Sequence, residues 1–214
     1  MLKKIKELFI PQQLLKGNCG IEREMLRVDK NGYLSFTDHP EIFGVLNPYI
    51  TTDFSESQVE VITPALDKIE ETYSFSKALY DIVALEIGDE ILWPQSMPCF
   101  IPEDDEIPVA KYSEEGREAE EYRNKLLKKY GGKKQLISGI HYNYSFNEEI
   151  IRKLYESSDK ELTYKEYKNS IYLKVARNYL RYRWIIVYLL GAAPVIHESF
   201  LNGCSCKLKQ ISED

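Results

Sequence analysis

The chain has 214 residues, 43% hydrophobic and 29% charged, with a formal net charge of −6. That length can bury a sizeable core without a second domain, and the composition is that of a globular protein. The acidic balance excludes a general nucleic-acid binder, which needs a basic surface.

The opening Met1-Leu-Lys-Lys-Ile-Lys-Glu7 mixes charges with apolar residues and lacks the continuous apolar core of a secretion signal, so a cytoplasmic chain is expected. The first strand-like run is Gly20-Ile-Glu-Arg-Glu-Met-Leu-Arg-Val28, and a second extends from Tyr49 to Pro64. Asp67-x-x-Glu70 resembles a capping box and predicts a helix to Ile87, with Ile69, Tyr73, Tyr80, Val83 and Ile87 buried and Gly88 as its stop. Glu103-Asp-Asp-Glu106, set between Pro102 and Pro108, reads as a solvated loop at a mobile edge.

Ser113 is expected to cap a second helix. Glu114 and Glu115 in its first turn and Lys128 and Lys129 in its last complement the helix dipole. A third strand-like run, Ile137-Ser-Gly-Ile-His-Tyr-Asn-Tyr-Ser145, follows. Thr163-x-x-Glu166 opens a long helix reaching Leu190, whose stripe of Tyr172, Val175, Ala176 and Tyr179 is expected in the core, with Arg177, Arg181 and Arg183 exposed or paired. The apolar run Trp184 to Ile196 is too short to span a membrane and contains Gly191 and Pro194. Cys19, Cys99, Cys204 and Cys206 lack zinc-site spacing and are expected as thiols. His39 and His197 have no clustered acids beside them, which favours surface or core roles.

The chemistry concentrates in the strand-like runs. Side chains alternate along a strand, so Glu22 and Glu24 share a face, as do Gln58, Glu60 and Ile62, and His141, Asn143 and Ser145. With Asp53, these carboxylates and the imidazole repel each other and lose hydration on one sheet face unless a cation compensates. An oxygen-dominated donor set without thiolate suits Mg²⁺ or Mn²⁺ better than Zn²⁺. The alternative is solvated strand acids paired with Arg23 or Arg27, although alternation puts both arginines on the opposite face. Spacing alone does not decide between the two.

Four segments in order, Gly20 to Val28, Tyr49-Ile-Thr-Thr-Asp-Phe-Ser-Glu-Ser57, Trp93-Pro-Gln-Ser-Met-Pro98 and Ile137-Ser-Gly-Ile-His-Tyr-Asn143, together resemble glutamate-cysteine ligase, either monofunctional or as the ligase half of bifunctional glutathione synthetase. Tyr172-Leu-Lys-Val-Ala-Arg-Asn-Tyr179 through Gly191-Ala-Ala-Pro194 extends the likeness over nearly the whole chain. The resemblance implies an α+β fold: a glutamine-synthetase-like antiparallel sheet with acids on one face and helices on the other. It assigns Glu22, Glu24, Asp53, Glu60 and His141 to the magnesium and nucleotide-phosphate site, and Tyr122 to the cysteine pocket.

The implied reaction is the ATP- and Mg²⁺-dependent joining of the γ-carboxylate of L-glutamate to the amine of L-cysteine, the first step of glutathione biosynthesis. The family's Ser-Leu-Arg-x-Ser-Asp segment and late Glu-x-Arg strand have no counterpart here. Residues 1–214 are therefore expected to form an N-terminal portion of one catalytic domain, with an incomplete sheet prone to self-association. A ligase using another amine, or a non-catalytic metal- or partner-binding fragment, are the alternatives. No nucleic-acid or membrane partner is expected.

Overall fold

The computed structural model describes residues 2–14, 16–44, 46–191 and 195–201. In chain order the elements are α1 (Leu2–Leu8), α2 (Pro11–Leu14), β1 (Gly17–Val28), β2 (Ile50–Thr52), β3 (Gln58–Ile62), α3 (Ile69–Glu86), β4 (Ile91–Leu92), α4 (Arg117–Tyr130), β5 (Ile140–Phe146), α5 (Glu148–Glu156) and α6 (Tyr164–Leu190). The fold is mixed, with helices set around an antiparallel sheet, as the sequence leads one to expect. The strand order is β2-β3-β1-β4, and β5 also pairs with β1. Two compact units result, one of Met1–Gly20, Pro64–Tyr73 and Tyr142–Ala192, the other of Ile21–Thr63, Ser74–His141 and Ala193–Asp214.

In the first unit, Phe9, Ile150 and Leu154 bury together, flanked by Ile5, Leu14 and Tyr167. Asn147 caps α5 by accepting from the Glu149 amide at 2.8 Å. The predicted capping box at Thr163 is present: Thr163 and Glu166 satisfy each other's backbone amides, which fixes where α6 starts. The core stripe expected on α6 is not found. Ile171 is its one buried residue among those described, whereas Val175, Tyr179, Tyr182 and Trp184 are exposed. Among the described residues the helix is covered only over its first turns, so helical spacing alone does not bury the stripe. Among the described residues no helix is long and apolar enough to cross a membrane.

The second unit holds β2, β3, β4 and most of β1. The expected strand from Tyr49 to Pro64 is broken at Asp53–Ser57, and its halves pair as the hairpin β2–β3 with Thr52 opposite Val59. β1 lies against β3 with Arg23 opposite Val61 and Met25 opposite Val59. Met25, Val59 and Val61 face the α3 side and bury with Leu79, Val83, Ile87 and Phe43. The buried side of α3 matches the expected one at Val83 and Ile87, with Tyr80 partly buried against the same cluster, and departs from it at the start of the helix. Thr72, Ser76, Leu79, Val83 and Ile87 face inward, whereas Ile69 and Tyr73 are more than 60% exposed. Polar Thr72 takes the inward position that hydrophobicity alone assigns to Tyr73 one residue on, and polar Ser76 buries a turn later.

On the opposite sheet face, Leu26 and Val28 bury with Leu34, Phe54, Ile101 and Leu136, backed by Leu126 and Leu127 of α4. The acids therefore share their face with a second apolar cluster. Ser113 makes no side-chain cap; it precedes a short 3₁₀ turn, Glu114–Gly116, and α4 starts only at Arg117. Lys128 and Lys129 fill its last turn as expected, and Gly131 ends it at φ 79°. The acidic loop is anchored: Asp104 accepts from the Lys133 amide at 2.7 Å, and Glu103 pairs with the buried Lys133 ammonium at 3.1 Å.

Arg27, 1% exposed, ties the turns at the end of β1 together. Its guanidinium donates to Thr37 Oγ1, to the Thr37, Asp38 and Glu56 carbonyls, and to Glu90 Oε2 at 2.7 Å. Removing it leaves the half-buried Glu90 without its counter-charge, so Arg27→Ala should cost about 3–5 kcal/mol. Urea denaturation should show a lower midpoint for Arg27→Ala and a smaller drop for Glu90→Gln. An unchanged Arg27→Ala midpoint would show that this network does not hold the unit together.

Candidate functional site

Two strands and the start of a third place the acids. The β1–β3 register sets Glu24 directly opposite Glu60 and Glu22 opposite Ile62. Two carboxylates in direct cross-strand opposition repel each other. Glu24 is secured twice to the segment entering β5: its amide donates to the Gly139 carbonyl at 3.0 Å, and its carboxylate accepts from the Gly139 amide at 2.8 Å. A Cβ at Gly139 would lie 3.2 Å from His141 Nε2, so glycine lets the imidazole close over the acids.

His141 Nδ1 lies 3.2 Å from Glu22 Oε2, and its Nε2 lies 3.6 Å from Glu24 Oε1. Glu22, Glu60 and His141 each present a ligand atom within 4.8 Å of the others'. Asp53 stands in the bend after β2, where its amide donates to the Gln58 carbonyl at 3.0 Å.

Charge crowding shows in the protonation equilibria. Burial, then the charges of Asp53, Glu24 and Glu22, push Glu60 up to about 7, with His141 opposing. Burial also raises Glu24, partly offset by the Gly139 amide, and raises Asp53 against the pull of Arg123 and His141. The hydrogen bond to Glu22 raises His141. One exposed imidazole, with the Arg123 guanidinium beside Asp53, is too little counter-charge for four carboxylates. The cluster is a polyanionic concentration of oxygen donors with one nitrogen, a set that suits a hard divalent cation.

The structure thus gathers Glu22, Glu24, Asp53, Glu60 and His141, and leaves Tyr122 60% exposed on α4. Its neighbour Arg123 escaped the sequence reading. It donates to the Asp53 and Thr52 carbonyls, contacts made across 70 residues that no local pattern encodes. His197 packs its ring on Phe100 and lies 2.9 Å from Ser199 Oγ, whereas His39 is largely buried against Phe43; both are structural. Cys19 and Cys99 are buried free thiols, and burial pushes Cys99 up to about 12. Cys204 and Cys206 lie outside the described residues.

Comparison with known proteins shows which family the chain resembles along its length. The family model described as glutamate-cysteine ligase matches residues 2–214. The glutathione biosynthesis bifunctional protein of Clostridium perfringens is 47% identical over 218 residues, covering 100% of this chain and 28% of the relative. The glutamate–cysteine ligase of Clostridium acetobutylicum is 42% identical over 220 residues, covering 100% of this chain and 45% of the relative. Among solved structures, the bifunctional glutathione synthetase from Pasteurella multocida superposes with a TM-score of 0.79 at 36% identity, over 91% of this chain and 25% of that one. The glutamate–cysteine ligase from Francisella tularensis in complex with AMP gives 0.79 at 34% identity, over 86% of this chain and 37% of that one. The chain thus spans less than half the length of each of these relatives. A family-model match running from residue 2 to residue 214 means that the chain belongs to the glutamate-cysteine ligase family.

Proposed function

We propose that this chain supplies the metal and nucleotide-phosphate floor of an ATP-dependent ligase that joins the γ-carboxylate of L-glutamate to the amine of L-cysteine, the first step of glutathione biosynthesis. The observation that carries this reading is the convergence of Glu22, Glu60 and His141 within 4.8 Å, with Glu24 and Asp53 electrostatically coupled to them. Family membership supports the reaction, and the AMP bound to the Francisella tularensis relative supports the nucleotide. In this reading the sheet is of the glutamine-synthetase kind, with its acids as the metal-binding face, and residues 1–214 belong to a single ligase domain.

An amine does not displace hydroxide from a free carboxylate, so the glutamate γ-carboxylate must first be phosphorylated by ATP, giving an acyl phosphate that the cysteine amine attacks. Glu22, Glu24, Asp53, Glu60 and His141 are the groups that would hold Mg²⁺ or Mn²⁺, and an undercompensated cluster of hard donors fits such ions. When bound, the cations neutralise phosphate oxygens during in-line transfer. The chain's own contribution is to fix the donors: Gly139 holds Glu24, Glu22 orients the imidazole, and the β1–β3 register keeps Glu60 beside them. Tyr122 is assigned to the amine side on α4.

Metal binding is tested directly by titrating MnCl₂ into the chain and into the Glu22→Gln, Glu60→Gln double variant. Heat of binding should be present in the first and lost in the second, and identical isotherms would sink the metal assignment. A pH test follows from Glu60, whose carboxyl rises from an ordinary value near 4.5 to about 7 on folding. Ionising it costs folding free energy; that cost is absent below pH 4.5, grows as pH rises, and is complete above pH 7. With EDTA present, Glu60→Gln should therefore melt higher than wild type above pH 7 and level with it below pH 4.5. Added MnCl₂ should reverse the order above pH 7. If Glu60→Gln melts lower in EDTA at every pH, Glu60 is not under electrostatic stress.

Activity is read as phosphate release from ATP requiring both L-glutamate and L-cysteine, measured on the full-length product of the encoding gene. Glu60→Gln and His141→Ala should each lower it by about 10²-fold with the melt intact. Release supported equally well by another amine would assign a different ligase.

A further inference from the structure

We infer that Arg123 is a positioning residue of the acid cluster, a tether from α4 that fixes the bend carrying Asp53 through the Thr52 and Asp53 carbonyls. This rests on the metal reading above and goes beyond it, because Arg123 offers no donor atom to a cation. The guanidinium Nε donates to the Asp53 carbonyl, Nη2 to the Thr52 carbonyl at 3.4 Å, and Nη1 to the Ala119 carbonyl of its own helix at 3.2 Å. Its plane is held by Tyr112, whose ring centroid lies 4.9 Å from Cζ and whose hydroxyl donates to the same Thr52 carbonyl at 3.1 Å. Tyr112 is in turn anchored to α4, its amide donating to Glu120 Oε2 at 3.2 Å.

The rest of the bend is held from another side. The Phe54 carbonyl accepts from the Ala110 amide at 3.0 Å, and Ser55 Oγ donates to the Pro108 carbonyl at 2.6 Å. Thr52 and Asp53, the residues next to the acids, are left to Arg123, Tyr112 and β3. Asp53 is the one acid of the cluster that no strand carries, so its backbone needs a separate hold. Because Tyr122 and Arg123 are adjacent on α4, that hold also ties the helix of the proposed amine side to the proposed phosphate side.

Charge and tether predict opposite signs for one substitution. Considered as a charge alone, Arg123 repels a nearby cation, and removing it would tighten metal binding. Considered as a tether, its removal frees the Asp53 bend and weakens binding. Outer-shell partners of metal ligands typically contribute about 10- to 100-fold in affinity.

The experiment is MnCl₂ titration of the wild-type chain, Arg123→Met, Arg123→Lys, Tyr112→Phe and the Glu22→Gln, Glu60→Gln double variant, each with a thermal melt. Arg123→Met and Arg123→Lys should both bind about 10-fold more weakly, the lysine keeping the charge but not the forked donors. Tyr112→Phe, which keeps the arginine and loses only the hydroxyl's contacts with Thr52, should weaken binding less. Tighter binding by Arg123→Met, or lower melting temperatures with unchanged affinities, would overturn the inference while leaving the metal reading intact. A double variant indistinguishable from wild type would overturn both. Should Arg123→Met fail to fold, Arg123→Lys and Tyr112→Phe carry the test, and wild-type affinity in both would overturn the inference.

Discussion

The register between β1 and β3 is the constraint on which the site depends, because it sets two carboxylates, Glu24 and Glu60, face to face on adjacent strands. Like charges in that position cost a few tenths to about 1 kcal/mol. The other side of the same strands outweighs this. Met25, Val59 and Val61 are at most 1% exposed beneath α3, and each such burial contributes about 1.5–3 kcal/mol. A slip of one residue would turn the apolar side chains of the slipped strand toward the acid face and its carboxylates away from it, so the apolar face enforces the electrostatic stress on the polar one.

Neighbouring groups relieve that stress in part. The Gly139 amide, the His141 ring and the Arg123 guanidinium approach from three directions, each on a segment other than the two strands. Arg27, nearer than any of these in sequence, takes no part. Alternation turns it to the far face, where it is consumed by carbonyls and Glu90, and Arg23 likewise lies over the Tyr80 ring. Two arginines interleaved with two glutamates thus end in separate environments, and the ion pairing that their proximity suggests does not occur.

Much of this was legible in the sequence because it follows from period-two alternation. Glu22 and Glu24 share a face, the arginines take the other, and Glu60 and His141 lie on strands as expected. Pairing was not legible, since it depends on which strands meet. Nothing in Tyr49 to Pro64 announces a break at Asp53–Ser57, where five residues in the middle of a β-like run turn to form a hairpin. Val83 and Ile87 bury on α3 as expected, but the start of the helix departs from the pattern because Thr72 satisfies its hydroxyl against the Lys68 carbonyl at 3.0 Å and so tolerates burial that a hydropathy pattern withholds from it. Arg123 was invisible for a different reason: on a helix rich in Glu and Lys, an arginine reads as surface, and only tertiary structure shows its carbonyl partners.

The exposed later turns of α6 have a consequence for how molecules of this chain behave together. The helix carries six Lys and Arg residues against the single acid Glu166, in a chain whose net charge is −6, so charge is segregated rather than mixed. Charge segregation of this kind favours attraction between unlike patches at low ionic strength, an effect that salt screens beyond about 8 Å at physiological concentration. Trp184 to Leu190 add an uncharged apolar end, which strongly excluded salts such as sulfate drive together. Charge segregation and the exposed apolar end of α6 therefore pull the salt response in opposite directions, ionic strength weakening the first and sulfate strengthening the second.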